Sequence, residues 1–282
     1  ILHRLLSTRL PELHAKRLAS LLAAVEAVVS GSRLTLSDVG RGLPGPVAVK
    51  HNIKRIDRLL GNGSLHAEMP KLYEALVRNS LAGISLPLIV VDGSDLTPDR
   101  HWQWLRASVA MEGRSMTLYE EVHPQARATS PRVHAAFLLR IKAMLPRGCV
   151  PILITDAGFR GPWFRLVNRM GWYWIGRIRN RDMVRLENDD TWVGCKTLYK
   201  LATSKAKALG HYHYVRKHPV PCRLVLMKRA KQGRHKKGKL GRRVRSKHSL
   251  KNASAQREPW LLAASPKLAH LSALAIVAVY AQ

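Results

Sequence analysis

The sequence predicts an α/β protein: helices first, then a mixed-sheet core, then a basic β-rich stretch. Three observations predict it. Apolar residues recur at helical spacing through residues 1–84. Two short runs rich in branched residues, Leu86–Val91 and Val150–Ile154, suit strands buried on both faces. From Thr191 to Arg257, 67 positions hold twenty Lys or Arg and no acid.

Within the helical segment, Leu18, Leu21, Leu22, Val25, Val28 and Val29 form one helical face, and Ser30-Gly31 stops it. Gly40, Gly42, Pro44, Gly45 and Pro46 predict a turn segment. A helix from about Val47 to Leu60 follows, with Val49, Ile53, Ile56 and Leu60 as its apolar side. Its other side carries Lys50, His51, Lys54, Arg55 and Arg58. A basic helix face after a tight turn suits a helix-turn-helix reader of DNA, and equally a solvated surface helix.

The next segment alternates strands and helices. The first apolar run ends in Asp92-Gly93. Trp104–Met111 and Ser115–Val122 predict a hairpin across Glu112-Gly113-Arg114. Pro131–Leu145 predicts an amphipathic helix with Ser130 as N-cap. The second apolar run ends in Asp156, followed by Gly158. Pro162–Met170 reads as a helix closed by Gly171, and Trp172–Ile178 as a strand. This order predicts an α/β core on a mixed sheet.

Thr191–Val193, Tyr212–Arg216 and Arg223–Met227 read as strands within the basic stretch. Lys228–Lys251 holds twelve Lys or Arg in 24 residues, with Gly and Ser interleaved, and predicts a loop. Glu258–Ala264 returns to a strand, and Leu271–Gln282 begins a helix. The expected divisions are therefore 1–84, 85–180, 181–257 and 258–282.

Composition narrows the function. The chain has 282 residues, 48 Lys plus Arg, 18 Asp plus Glu and a net charge of +30. With 46% apolar residues it can bury a core, which excludes a disordered basic tail. So large a positive surplus calls for a polyanion, and nucleic acid is the foremost one. No apolar run reaches the roughly 18 residues that a membrane span needs. Three cysteines at wide spacing, Cys149, Cys195 and Cys222, give neither a disulfide framework nor a zinc knuckle. A reducing compartment, the cytoplasm, fits them. The chain opens on Ile1, which reads as a trimmed start or a missed start codon.

Asp92 and Asp156 are the residues that suggest chemistry. Each ends an apolar strand, where a carboxylate reaches the rim of a sheet. Two carboxylates on adjacent strands can share Mg²⁺, and a two-metal site clamps both oxygens of a phosphodiester substitution. Either Asp alone also fits a turn former or a helix cap. Asp92-Gly-Ser-Asp95 misses the haloacid-dehalogenase spacing by one residue, and no Walker A pattern is present.

Longer stretches carry a family resemblance. Leu105–Glu120 (LRASVAMEGRSMTLYE), Thr155–Trp163 (TDAGFRGPW) and Gly171–Arg179 (GWYWIGRIR) resemble bacterial insertion-sequence transposases of the DDE class. The likeness is to the cut-and-paste group that excises DNA through hairpin ends. His51–Asn62 resembles that group's N-terminal region. The resemblance implies an RNase H-like core interrupted by a basic β insertion, with a helical end-binding domain before it. It implies two Asp and one Glu on Mg²⁺ or Mn²⁺, with Asp92 and Asp156 as the two Asp. Gly93 stands where close relatives carry Trp.

The family's Glu follows a Tyr-x-x-Arg-x-x-x-Glu pattern. Tyr280-Ala-Gln282 matches only its start, so the chain reads as cut short before that Glu and as inactive by itself. Trp260 matches an aromatic that stacks on a flipped base, and also suits a core Trp; such stacking is worth about 1–3 kcal/mol. The expected DNA contacts are Lys50, His51, Lys54, Arg55, Arg58, Trp260 and Tyr280. The expected activity is metal-dependent cleavage at transposon ends and strand transfer to target DNA, by a homodimer at the bacterial nucleoid. One rival is a catalytically dead DNA-binding remnant of such an enzyme. Another is a basic RNA-binding or ribosome-associated protein without metal dependence.

Overall fold

The computed structural model describes residues 2–111, 114–179, 182–228, 241–242, 244, 246–247, 250 and 258–282. It contains two compact units, one of residues 1–82 with 143–146, the other of 83–142 with 147–282. The expected hairpin turn at Glu112-Gly113 and most of the basic run Lys228–Lys251 lie outside the described residues.

The first unit is helical: α1 (Leu2–Arg9), α2 (Ala15–Val29), α3 (Leu36–Gly42), α4 (Val49–Leu60) and α5 (Gly63–Ser80). Leu6, Leu18, Ala27, Val39, Ile56, Leu59, Leu65 and Leu72 form its core. Thr35 and Asn62 cap α3 and α5, accepting from Asp38 N–H at 3.1 Å and Leu65 N–H at 2.9 Å.

Two details of this segment differ from expectation. Gly40 and Gly42 sit in a helix, not in the turn, which lies at 43–48 with Gly45 at φ +110°. The reason is packing: a Cβ on Gly40 would lie 2.7 Å from the Ile53 Cα, so only glycine lets α3 cross α4 this closely. The buried side of α4 is Asn52, Ile56 and Leu59, whereas Val49 and Leu60 stay exposed. The apolar stripe is thus rotated from the one the spacing suggested.

The second unit holds one ten-stranded sheet. Its strands are β1 (Leu88–Asp95), β2 (Trp102–Met111), β3 (Arg114–Pro124), β4 (Ile152–Thr155), β5 (Tyr173–Ile178), β6 (Met183–Leu186), β7 (Trp192–Gly194), β8 (Lys207–Tyr214), β9 (Val220–Met227) and β10 (Trp260–Ala264). The order across the sheet is β3-β2-β1-β4-β5-β10-β9-β8-β6-β7. β1, β4 and β5 are parallel, and the other pairings among the described residues are antiparallel. An antiparallel three-strand meander followed by two parallel strands is the RNase H-like arrangement. The strands of the basic stretch continue this sheet beyond β10.

Helices α6 (Pro131–Met144) and α7 (Gly161–Arg169) make the crossovers. Phe164 of α7 stacks on Trp174 of β5 at 4.2 Å, and both rings are fully buried. Gly176 makes room for that stack, since a Cβ there would lie 2.4 Å from the Phe164 Cζ. A short α8 (Cys195–Leu198) follows β7. The terminal helix α9 (Ala273–Ala281), capped by Ser272, lays Ile276 and Val277 on Ile152, Ile175, Val225, Leu262 and Ala264. It covers part of one sheet face and leaves the end beside β1 and β4 open.

Candidate active site

The open end of that face is a cleft of about 810 Å³. Asp92, Asp156, Trp260 and Tyr280 all line it, with Arg106, Ser108 and Arg114 from the β2–β3 edge. The register explains why. Val91 pairs with Thr155 on the adjacent parallel strand, and Thr155 pairs with Gly176. One residue further on stand Asp92, Asp156 and Arg177. On the other flank Asp92 pairs with Arg106, and Arg106 with Glu120. Paired residues of adjacent strands point to the same face. The row across β3, β2, β1, β4 and β5 therefore reads Glu120, Arg106, Asp92, Asp156, Arg177.

Each carboxylate is held locally. The Ser94 hydroxyl donates to Asp92 Oδ2 at 3.1 Å. The Gly158 N–H donates to Asp156 Oδ1 at 2.8 Å, and a Cβ on Gly158 would press against that oxygen at 3.0 Å. Asp156 reaches solvent through the cleft, yet the protein around it raises its pKa above the ordinary Asp value. Desolvation is the largest cause, and the Asp92 charge adds to it. The Gly158 N–H and the guanidiniums of Arg177 and Arg179 pull the other way. Two carboxylates that share a field in this manner are a fitting donor set for a hard divalent cation. Among the described residues no third His, Cys, Asp or Glu completes a metal-ligating group with them.

The cations beside them escaped the sequence reading. Arg177 Nε and Nη2 are buried and have no hydrogen-bond partner among the described residues. Burial and neighbouring Arg179 lower its pKa, while Tyr280 raises it. Arg106 lies 4.7 Å over the Trp104 ring, whose Nε1–H donates to Glu120 at 3.0 Å. The available signal was parity: 173, 175, 177 and 179 alternate onto one face of a strand, but which face meets Asp156 needs the sheet order. Arg179 is committed elsewhere, donating to Glu258 through Nε at 2.8 Å and Nη2 at 2.7 Å. Glu258, the one acid just before β10, is therefore held by an arginine.

Trp260 meets Tyr280 edge-on at 4.8 Å and 81°. It is half-buried and lines the cleft, so it is both packed and presented. Burial pushes the Tyr280 hydroxyl up to about 12, which keeps it protonated as a hydrogen-bond donor.

The basic residues of α4 belong to the other unit. Lys50, His51, Lys54 and Arg58 are exposed. Arg55 is half-buried and donates to Ser20 Oγ at 3.2 and 3.3 Å. Among the described residues no helix is long and apolar enough to cross a membrane.

Residues 85–282 match the protein family described as transposase DDE domain. No curated protein and no solved structure matches the chain.

Proposed function

The chain belongs to the transposase DDE-domain family, and from that premise we propose that the cleft cuts DNA at transposon ends and joins the freed end to target DNA. One observation carries this reading: Asp92 on β1 and Asp156, just beyond the end of the adjacent parallel strand β4, line one cleft together with Arg106. Asp92 and Asp156 would hold Mg²⁺ or Mn²⁺, which supplies charge to polarise the scissile phosphate and lowers the pKa of the attacking water.

The chain's own groups do the rest. Arg106, which lines the cleft, donates to the phosphate oxygens that gain charge, where charge-assisted bonds are strong, and buried Arg177 adds positive charge near Asp156. Tyr280 donates its hydroxyl to a neighbouring phosphate. Trp260 offers an indole face to a base extruded when the free 3′ hydroxyl attacks the opposite strand and forms a hairpin. Exposed Lys50, His51, Lys54 and Arg58 grip the end, and a homodimer pairs two ends at the nucleoid.

The family pattern puts its Glu seven residues after the Tyr. Seven residues are two helical turns, so that carboxylate would face the cleft from the side of Tyr280. A second reading, a DNA-binding form without cleavage, draws support from the pairing of Glu258 with Arg179, which keeps that acid out of the cleft. The test is end nicking on a duplex carrying the element's terminus with Mg²⁺ or Mn²⁺. Residues 1–282 with and without added downstream sequence are compared against Asp92→Asn and Asp156→Asn. Nicking that survives both substitutions would sink the assignment of the cleft.

A further inference from the structure

A hollow of about 350 Å³ in the helical unit lies between the start of α2 and the end of α4. Lys16, Arg17 and Ser20 line it from α2, and Arg55, Arg58 and Asn62 from α4 and the turn after it. The charges are arranged, not merely numerous. Ser20 Oγ accepts both the Nε–H and an Nη–H of Arg55, which fixes the guanidinium at the wall of the hollow. Arg17 is fixed by Glu68, whose Oε2 accepts its Nε–H at 2.9 Å. Lys16 and Arg58 are exposed and have no ion pair among the described residues. The hollow has no acid in its lining, and α2 has none in its first turn.

We propose that this hollow is a seat for one phosphate of the DNA backbone. Its chemistry is that of a phosphodiester: a small volume, one pre-oriented guanidinium, two further free cations and a polar amide. The seat joins two helices, so an anion in it fixes where α4 lies along the duplex. Phosphate contacts set register in this way, whereas base contacts set sequence. The exposed residues Lys50 and His51 lie in the first turn of α4, away from the seat at its end, and Lys54 lies one turn before Arg58. The seat thus anchors one end of the helix and leaves the other for the groove. The inference rests on the proposed DNA reading of α4, and adds to it a defined contact made with α2.

The experiment is an anisotropy titration of the full chain with a DNA duplex at a series of salt concentrations. Ser20→Asp places a carboxylate against Arg55 and fills the seat with negative charge. Arg58→Ala, at an exposed position, removes a cation without touching the core. Each is expected to lower the log–log salt slope by about 0.9, the value for one B-DNA phosphate. Combining them is expected to lower it no further, because both act on the same phosphate.

Lys50→Ala plus Lys54→Ala tests the α4 reading separately. If that pair flattens the slope while Ser20→Asp and Arg58→Ala leave it unchanged, the seat is overturned and the reading stands. If the pair has no effect on affinity or slope, the reading itself fails. Inorganic phosphate, exchanged for chloride at equal ionic strength, is expected to leave DNA affinity nearly unchanged. Strong competition by it that Arg58→Ala abolishes would make the ligand a free phosphate and overturn the assignment to DNA.

Discussion

Asp156 raises its own proton affinity partly because Asp92 stands beside it on the neighbouring parallel strand. The folded-state pKa lies above the unfolded one, so the folded chain binds the extra proton. Stability from this group is then present at low pH and is lost as pH rises from the ordinary Asp value through the raised one. Asp156→Asn removes the loss. Without divalent metal, the variant's melting temperature is expected to exceed that of the parent near neutral pH, and the gap should close towards pH 4. A gap that widens on acidification would contradict the sign.

A divalent cation relieves the same repulsion. Mn²⁺ or Mg²⁺ at about 100 times its dissociation constant would stabilise the fold by about 2.7 kcal/mol, or about 5–10 °C in a unit of this size. Asp92→Asn and Asp156→Asn are each expected to abolish the shift. Thermal melts with and without EDTA read this independently of cleavage.

Glu258 is held by Arg179 and does not line the cleft. Glu258→Gln is therefore expected to cost about 1 kcal/mol or less in urea unfolding, as for a partly exposed ion pair. It should leave end nicking by residues 1–282 unchanged. A fall of tenfold or more would make Glu258 part of the chemistry.

Gly176→Ala drives a methyl into the Phe164 ring, which Trp174 backs. The ring is fully buried and has nowhere to go. A destabilisation of about 1–3 kcal/mol is expected from such overpacking, measured as a lower denaturant midpoint.

Much of the core was legible because its signals are local. Branched apolar runs gave β1 and β4, Gly171 at φ +78° closed α7, and Pro131 opened α6. Asp92 and Asp156 stood out because each follows such a run. What the residues hid depends on distant neighbours. Gly40 looks like a turn former until Ile53 is placed against it. β8 begins at Lys207, five residues before the Tyr212 that the apolar pattern suggested, because β9 supplies its partners. β6 is four residues long and was not anticipated. Arg106 and Arg177 lie within the stretches that carry the family resemblance, but those stretches give them no role. Only the sheet order sets them in one row with the carboxylates.

β10 sits between β5 and β9, and Leu261 to Ala264 are fully buried there. Some eighty residues separate it from β5 along the chain. On the ribosome, β5 emerges long before the strand that will cover its edge. Until residue 264 has left the exit tunnel, both β5 and β9 present open backbone to any passing strand. Such late, long-range pairing slows folding and leaves the nascent chain prone to mispairing. Chaperones that hold open strands are then expected to raise the yield of folded protein.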